Sequence, residues 1–585
     1  MSDLSGEEKK APPAFSAESA DFAEGDLVNS SGHVQELDRS FGFWSVASVG
    51  ILADNAWGSG GGSLVVSYAI SQSELVFWEL IQDRLYNGGG PGVMYGFIAA
   101  VFFYSTIAAC LAELASAIPS SANVYHWASV TAGRYGKVVS FYAGWWYVPR
   151  WELFYIHVDE TWLTGSRYRN CLAWVFGAAS SSLFAGQTVI AMYSVFHPDY
   201  TPQRWHIFIA FLGTTWMALS LVLFGQRLLP KITTAMGISL MLLFFITTMV
   251  CAIMPSQTGA GYASSSFVWG DFQNLTGWES SGWVFIMGLL GGAYTIGTPD
   301  GVAHMCEEIP DPKKNIPLGI LAQMTTGSIS TFFFYIAILY AVTDLTAVFN
   351  TPIVALPLAA MYQQATRSTA GTFGLLLLFY IDTILNLPGG YITAGRMLWT
   401  LARDDAVPFS PWIKHVSPRW RNPFNAQLVC GITVTVLGAL YVGNATAFTA
   451  FVGSFTIFTT FSYMAAILPH ILSKRRHVTP GPFWMPPLVA YTLGGIACSY
   501  ILVFNIIYMF PYVYPVDVAT MNYACVMTGG CTILLTFWYI YLWKTGTYEG
   551  PKVRLDAHND VMTGVVGLSA EEEKRRRRVS FVGTQ

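Results

Sequence analysis

Charge is the property this chain has least of. Lysine, arginine, aspartate and glutamate together make up 11% of its 585 residues, against about 25% in an ordinary soluble domain. So few ions cannot cover a water-facing surface. With 53% hydrophobic residues, 15% aromatics and a mean hydropathy of +0.44, the chain reads as a polytopic membrane protein. A span takes roughly 20 apolar residues, which leaves room for about twelve. Patterned cysteine is missing too. Cys110, Cys171, Cys251, Cys306, Cys430, Cys498, Cys525 and Cys531 are scattered, mostly in apolar runs. They offer neither a disulfide framework nor metal-ligand spacing. The first 40 residues lack the apolar stretch of a cleavable signal and read as a disordered tail. No nucleophile–base pair, H-x-x-x-H or G-x-S-x-G stands on a span, which argues against a membrane enzyme. No repeated pore signature points to a channel. The small net charge of -4 gives no sign of nucleic-acid binding, and nothing calls for a cofactor or metal.

What is present is organised around residues 283–317. Trp283, Val284, Phe285, Ile286, Met287, Leu289 and Leu290 begin a span. Gly291, Gly292, Gly297 and Pro299 then crowd in, followed by Asp300 and His304. A lipid-facing helix cannot break in mid-bilayer, because the freed backbone groups find no water. Transporters tolerate such breaks where they line a substrate site. The first span, about 43–66, is interrupted likewise by Asp54, Asn55, Trp57, Gly58, Gly60, Gly61 and Gly62. Two interrupted segments in corresponding halves are the sequence mark of a transport site. The plainer reading of either stretch is a glycine-kinked packing helix.

The other spans are expected near 92–117, from 138, and at 205–224, 232–254, 317–342, 371–401, 427–443, 446–472, 486–511 and 522–543. Lys and Arg cluster after the even-numbered spans, as in Arg134, Lys137, Arg227, Lys231, Lys313, Lys314, Arg403, Lys414, Arg419, Arg421 and Lys474–Arg476. The positive-inside rule then puts both termini in the cytoplasm. The domains expected are a 1–40 tail, a 41–545 transmembrane domain and a 546–585 tail. The sequons at Asn274 and Asn444 fall on the outer side of this topology.

Two segments do not fit. Residues 147–169 place Arg150, Glu152, Asp159, Glu160, Arg167 and Arg169 inside span three, where each charge costs roughly 2.5–3.5 kcal/mol at a helix centre. Removing the segment restores a good span. Residues 67–84 intrude between spans one and two. Both are read as translated, unspliced introns. The competing reading is a surface helix at 71–86 and a real external loop at 147–169.

Three stretches, AELASAIPSSANVYHWASV (112–130), AYTIGTPDGVAHMCEEIPDPKKNIP (293–317) and TAGRMLWTLARDDAVPFSPWIKHVSP (393–418), resemble motifs of the amino acid–polyamine–organocation superfamily. The likeness is to fungal permeases for choline, GABA and amino acids, and it runs from about 41 to 551. It implies an all-α leucine-transporter fold: spans one to five and six to ten as inverted repeats, with two accessory helices. It also implies a secondary active transporter that imports a small amine or amino acid, usually with a proton, between the unwound parts of spans one and six. A plasma-membrane setting goes with that function. The alternative is a nutrient sensor that keeps the fold without transporting.

A small zwitterion or cation needs donors for a carboxylate, acceptors for an ammonium, and apolar walls. Amides at half-helix N-termini supply donors, here Gly58 to Ser63 and Thr298 to Gly301. Carbonyls near Ala53, Asp54 and Ala293 to Thr295 accept from an ammonium. Trp57 and Tyr294 can face a quaternary amine, although an ordinary packing role fits Trp57 as well. The substrate-site candidates are Asp54, Asn55, Trp57, Gly58, Gly60, Ala293, Tyr294, Thr295, Gly297, Thr298 and Asp300. Intramembrane acids are functional by default, and Asp54, Asp300 and Asp382 each suit a substrate cation or a proton; Asp300 suits a helix cap equally. Glu113, Glu307 and Glu308 read as gate or loop salt bridges, the last two near Lys313 and Lys314. His304 is a candidate proton carrier, although a lone histidine is more often a satisfied core residue. These four and Asp382 form the coupling or gate set.

Overall fold

In this computed structural model, residues 27–28, 42–64, 88–145, 170–225, 228–349, 351, 356–420, 422–516, 521–548, 550–551 and 564–565 are described. The proposed inserts at 67–84 and 147–169, and most of both tails, lie outside them. The chain forms two compact units. In the unit made of Met1–Glu36 and Arg554–Gln585, strands β1 (Leu27–Val28) and β2 (Gly564–Val565) pair antiparallel, Leu27 opposite Val565.

The unit Leu37–Val553 is helical. Its helices run in order α1 (Phe43–Asp54), α2 (Ala56–Leu64), α3 (Gly89–Ala117), α4 (Val124–Thr131), α5 (Gly136–Trp145), α6 (Asn170–Phe196), α7 (Arg204–Phe224) and α8 (Leu229–Gln257). Then come α9 (Ser265–Trp269), α10 (Ser281–Thr295), a 3-10 segment Gly301–Glu308, α11 (Pro312–Ala341), α12 (Leu345–Phe349), α13 (Leu358–Thr366) and α14 (Thr369–Arg403). The series ends with α15 (Ser410–Ile413), α16 (Phe424–Gly443), α17 (Ala445–Leu472), α18 (Pro487–Ile507) and α19 (Ala524–Thr545).

Among the described residues ten helices are long and apolar enough to cross a membrane. The two interrupted spans, α1–α2 and α10 with its 3-10 segment, bring the number to the twelve expected. The breaks fall in the first and sixth spans, as a five-plus-five arrangement requires. The outer helices keep apolar side chains turned outward, such as Ile238, Leu242 and Phe245 of α8 and Leu502, Val503 and Ile506 of α18. That is the surface hydrocarbon solvates. Ser280 and Ser368 cap α10 and α14 by accepting from the amides of Trp283 and Gly371, satisfying orphan donors at helix starts.

The interrupted first span sits at the centre. α1 packs against α8, α11 and α14, and α2 against α10 and α11. α14 approaches α1 at Gly389, where a Cβ would stand 3.3 Å from the amide nitrogen of Ala53. The glycine therefore brings α14 up beside the break.

Candidate substrate site

The first break is one residue wide. Asn55 adopts a left-handed conformation (φ 36°, ψ 51°), which asparagine tolerates better than most residues. Its amide still closes α1 onto the carbonyl of Ile51, and its carbonyl takes the amide of Ser59 to open α2. This corrects the expectation that Gly58 to Ser63 present free amides: from Ser59 onward they are committed to α2. Close packing is what the glycines there provide. A Cβ on Gly58 would collide with Asp382 Oδ2 and Asn55 Nδ2, and one on Gly60 with the Tyr335 ring, 3.0 Å from its Cζ.

The second break is wider. α10 ends at Thr295, and helical structure resumes as 3-10 turns only at Gly301. Asp300 precedes those turns but makes no side-chain cap bond, so the cap reading is not realised. Its carboxylate instead accepts from the Tyr463 hydroxyl (2.5 Å) and Asn123 Nδ2 (3.3 Å), and lies 3.1 Å from His304 Nε2. His304, fully buried, also contacts the Ser121 carbonyl and Asn123. It is a satisfied core residue bound into a network.

Consecutive residues at the first break face opposite walls. Asp54 Oδ1 accepts from the Thr298 hydroxyl (3.0 Å), which ties the two breaks together. Its Oδ2 faces Gly327 of α11. Asn55 Nδ2 donates to Asp382 Oδ2 on α14 (2.7 Å), and Asp382 Oδ1 is buried without a partner. Thr295 lies 3.4 Å from the Tyr335 hydroxyl. The Tyr294 hydroxyl bonds Ser180 of α6 (2.6 Å), and its ring meets Phe455 of α17 edge-on. Ala293 is buried, and its carbonyl backs onto Gly297. Trp57 is fully buried between Phe244 and Phe334, so its packing role is real.

The remaining acids lie at the basic end of the helices, paired with partners the sequence reading missed. Glu308 bonds Arg396 (2.7 Å) and Glu307 bonds Arg403 (2.7 Å), both on α14, rather than the nearby Lys313 and Lys314. Glu113 takes Arg475 (2.8 Å), His470 and the Met485 amide. Arg396 and Arg403 stand seven residues apart, two turns along one face, inside an apolar helix. That spacing was a readable signal. Gln323, Tyr463 and Asn123 carried none.

The fold and site thus define an all-α polytopic membrane protein with two facing, interrupted spans and buried carboxylates at their junction. Residues 41–531 match the amino acid permease family model, and the chain belongs to that family within the amino acid–polyamine–organocation superfamily. It is 28% identical to a choline transporter of Saccharomyces cerevisiae over 90% of this chain and 84% of the relative. It is 25% identical to a GABA-specific permease of the same yeast (82% and 80%) and 26% to an amino-acid permease of Arabidopsis thaliana (78% and 87%). Family and relatives identify a transporter.

Proposed function

We propose that the protein is a proton-coupled importer of a small amino-containing solute, in the class of choline, GABA and amino acids. It works by alternating access in the plasma membrane with both termini cytoplasmic. The observation that carries this reading is the meeting of two interrupted spans beside an acid with an open oxygen. Asp382 Oδ1, buried and unpartnered, needs a positive partner, since a buried unpaired charge is costly. A substrate ammonium supplies one. Asn55 holds Asp382 from one side. Tyr294, Ser180 and Phe455 give an amphipathic wall, and the carboxylate of a zwitterion falls to the Asp300 amide, because Pro299 has no N–H and the Gly301 amide bonds the Thr298 carbonyl. The pairs from Glu307 and Glu308 to α14 latch the cytoplasmic side shut while the solute enters from outside.

The test is uptake of radiolabelled choline, GABA, neutral amino acids and polyamines by a strain lacking its own permeases. Saturable accumulation of at least one is expected. Membrane-inserted protein that accumulates none of them would refute the proposal and leave the sensor.

A further inference from the structure

At the end of α19 the chain is exposed from Trp543 to Thr547, and then Tyr548 is fully buried. Gly546 (φ 67°) turns the chain back after the helix, and Tyr548 enters a socket between α4 and α5. Its ring meets Phe141 edge-on at 5.4 Å and lies 5.9 Å from the Lys137 ammonium. Its hydroxyl bonds the Tyr125 hydroxyl (3.1 Å) and lies 3.4 Å from Ser140 Oγ. Gly550 then settles against the Lys137 stem. A buried phenol ring with a paired hydroxyl is a strong single anchor for a chain.

The socket backs onto the inner gate. α4 and the turn before it grip the 3-10 segment at three points. The Ser121 carbonyl lies 3.2 Å from His304 Nδ1, Ser121 Oγ accepts from the Glu307 amide (3.1 Å), and Asn123 Nδ2 donates to the Asp300 carbonyl (3.0 Å). The same helix reaches the end of α14. The Tyr125 hydroxyl is in hydrogen-bond contact with Asp404, and His126 Nε2 lies 3.7 Å from Asp404 Oδ2. Asp404 follows Arg403, whose guanidinium holds Glu307. α19 adds a tether there, with Trp538 Nε1 donating to the Ala406 carbonyl (3.1 Å). Tyr125 therefore has Tyr548 on one side and the latch on the other.

α4 is bound both to the 3-10 segment and to the end of α14, so parting those two forces a choice. If α4 is free to move, it follows the 3-10 segment and keeps its three bonds. If α4 is fixed, all three must break together, and each leaves buried polar groups unmade. Tyr548 is what fixes α4 against α5.

We infer that Tyr548 is a strap that holds the cytoplasmic gate shut: docked between α4 and α5, it keeps α4 in place behind the closed 3-10 segment, and its withdrawal favours the inward-open state. The inference rests on the permease reading above, in which the Glu307 and Glu308 pairs close that side. A two-state gate shifts only by a free energy that differs between its states. The strap supplies such a difference from a segment that touches no solute.

Cys306 reports the state of the gate, because it lies on the 3-10 segment and is 1% exposed. The full chain in membrane vesicles is treated with a membrane-impermeant maleimide on the face that carries the C-terminal segment. Peptide mass spectrometry then reads each cysteine separately. Tyr548→Ala is expected to speed Cys306 labelling roughly tenfold, a coupling of ordinary size. Tyr548→Phe keeps the ring in its socket and loses the bond to Tyr125, so it should speed labelling about threefold, the worth of one hydrogen bond. Cys251, buried in α8, should stay unlabelled in both. An unchanged Cys306 rate in Tyr548→Ala overturns the inference. So does labelling of Cys251 along with Cys306, which marks a general loosening of the fold. Should Tyr548→Ala fail to insert, an unchanged rate in Tyr548→Phe overturns it. Labelling needs no solute, so a parent that accumulates none of the solutes refutes the permease reading and leaves the strap to be judged by Cys306.

Discussion

At the residue scale, the break in the first span works by sending neighbours in opposite directions. The left-handed turn at Asn55 lets Asp54 face α11 while Asn55 faces Asp382 on α14. If Asp382 is the counter-charge for a substrate amine, Asp382→Asn should raise KM for choline about 30-fold, the effect of losing roughly 2 kcal/mol from a buried charge contact. An uncharged substrate analogue should be affected much less. Equal effects on both would take Asp382 out of the site. Gly58→Ala forces a methyl into Asp382 and Asn55. Uptake should fall sharply with normal delivery to the membrane, read by labelled transport beside surface labelling; parent-level uptake would show that the contact yields.

At the element scale, the 3-10 segment is anchored to α14 by two buried pairs, Glu308 with Arg396 and Glu307 with Arg403. Arg403 also stacks on Trp399, with its guanidinium carbon 4.0 Å from the ring centroid. Removing one partner of a buried pair costs about 3–5 kcal/mol, because the other charge is left uncompensated. Arg403→Ala should therefore lower the unfolding temperature of the purified protein markedly, and adding Glu307→Ala should restore part of the loss. A double variant no more stable than Arg403→Ala would mean the stacking contact, not the charge, carries the effect.

At the scale of the whole molecule, import driven by protons should rise as external pH falls, since the inward gradient steepens, and should collapse with a protonophore. Accumulation that persists and requires sodium would defeat proton coupling. The inserts make a separate prediction: mature transcripts should lack the codons for 67–84 and 147–169, and a version without them should transport at least as well as the full chain. Transcripts that keep both segments, with full transport by the uncut chain, would defeat the intron reading.

Much of this was written in one dimension. Twelve spans are legible because each must bury its own backbone bonds and show an apolar surface to lipid, constraints local to about 20 residues. The two breaks are legible because Gly, Pro and Asp crowd together there, where freed backbone groups would find no water in lipid. The family followed from three long motifs, two of them containing a break or a gate acid. The width of the first break was not legible: four glycines suggest an unwound stretch, yet all four remain inside α2, where Gly58, Gly60 and Gly61 admit Asp382, Tyr335 and Phe334. Partner choice was not legible either. Glu307 has Lys313 close in sequence and bonds Arg403 instead, because a carboxylate buried at the segment's end pairs with what the neighbouring helix presents. The same holds for Asp54, which sequence marks only as an acid in a membrane. Its Oδ1 meets the Thr298 hydroxyl and its Oδ2 the backbone face at Gly327 only when spans one, six and seven pack around it.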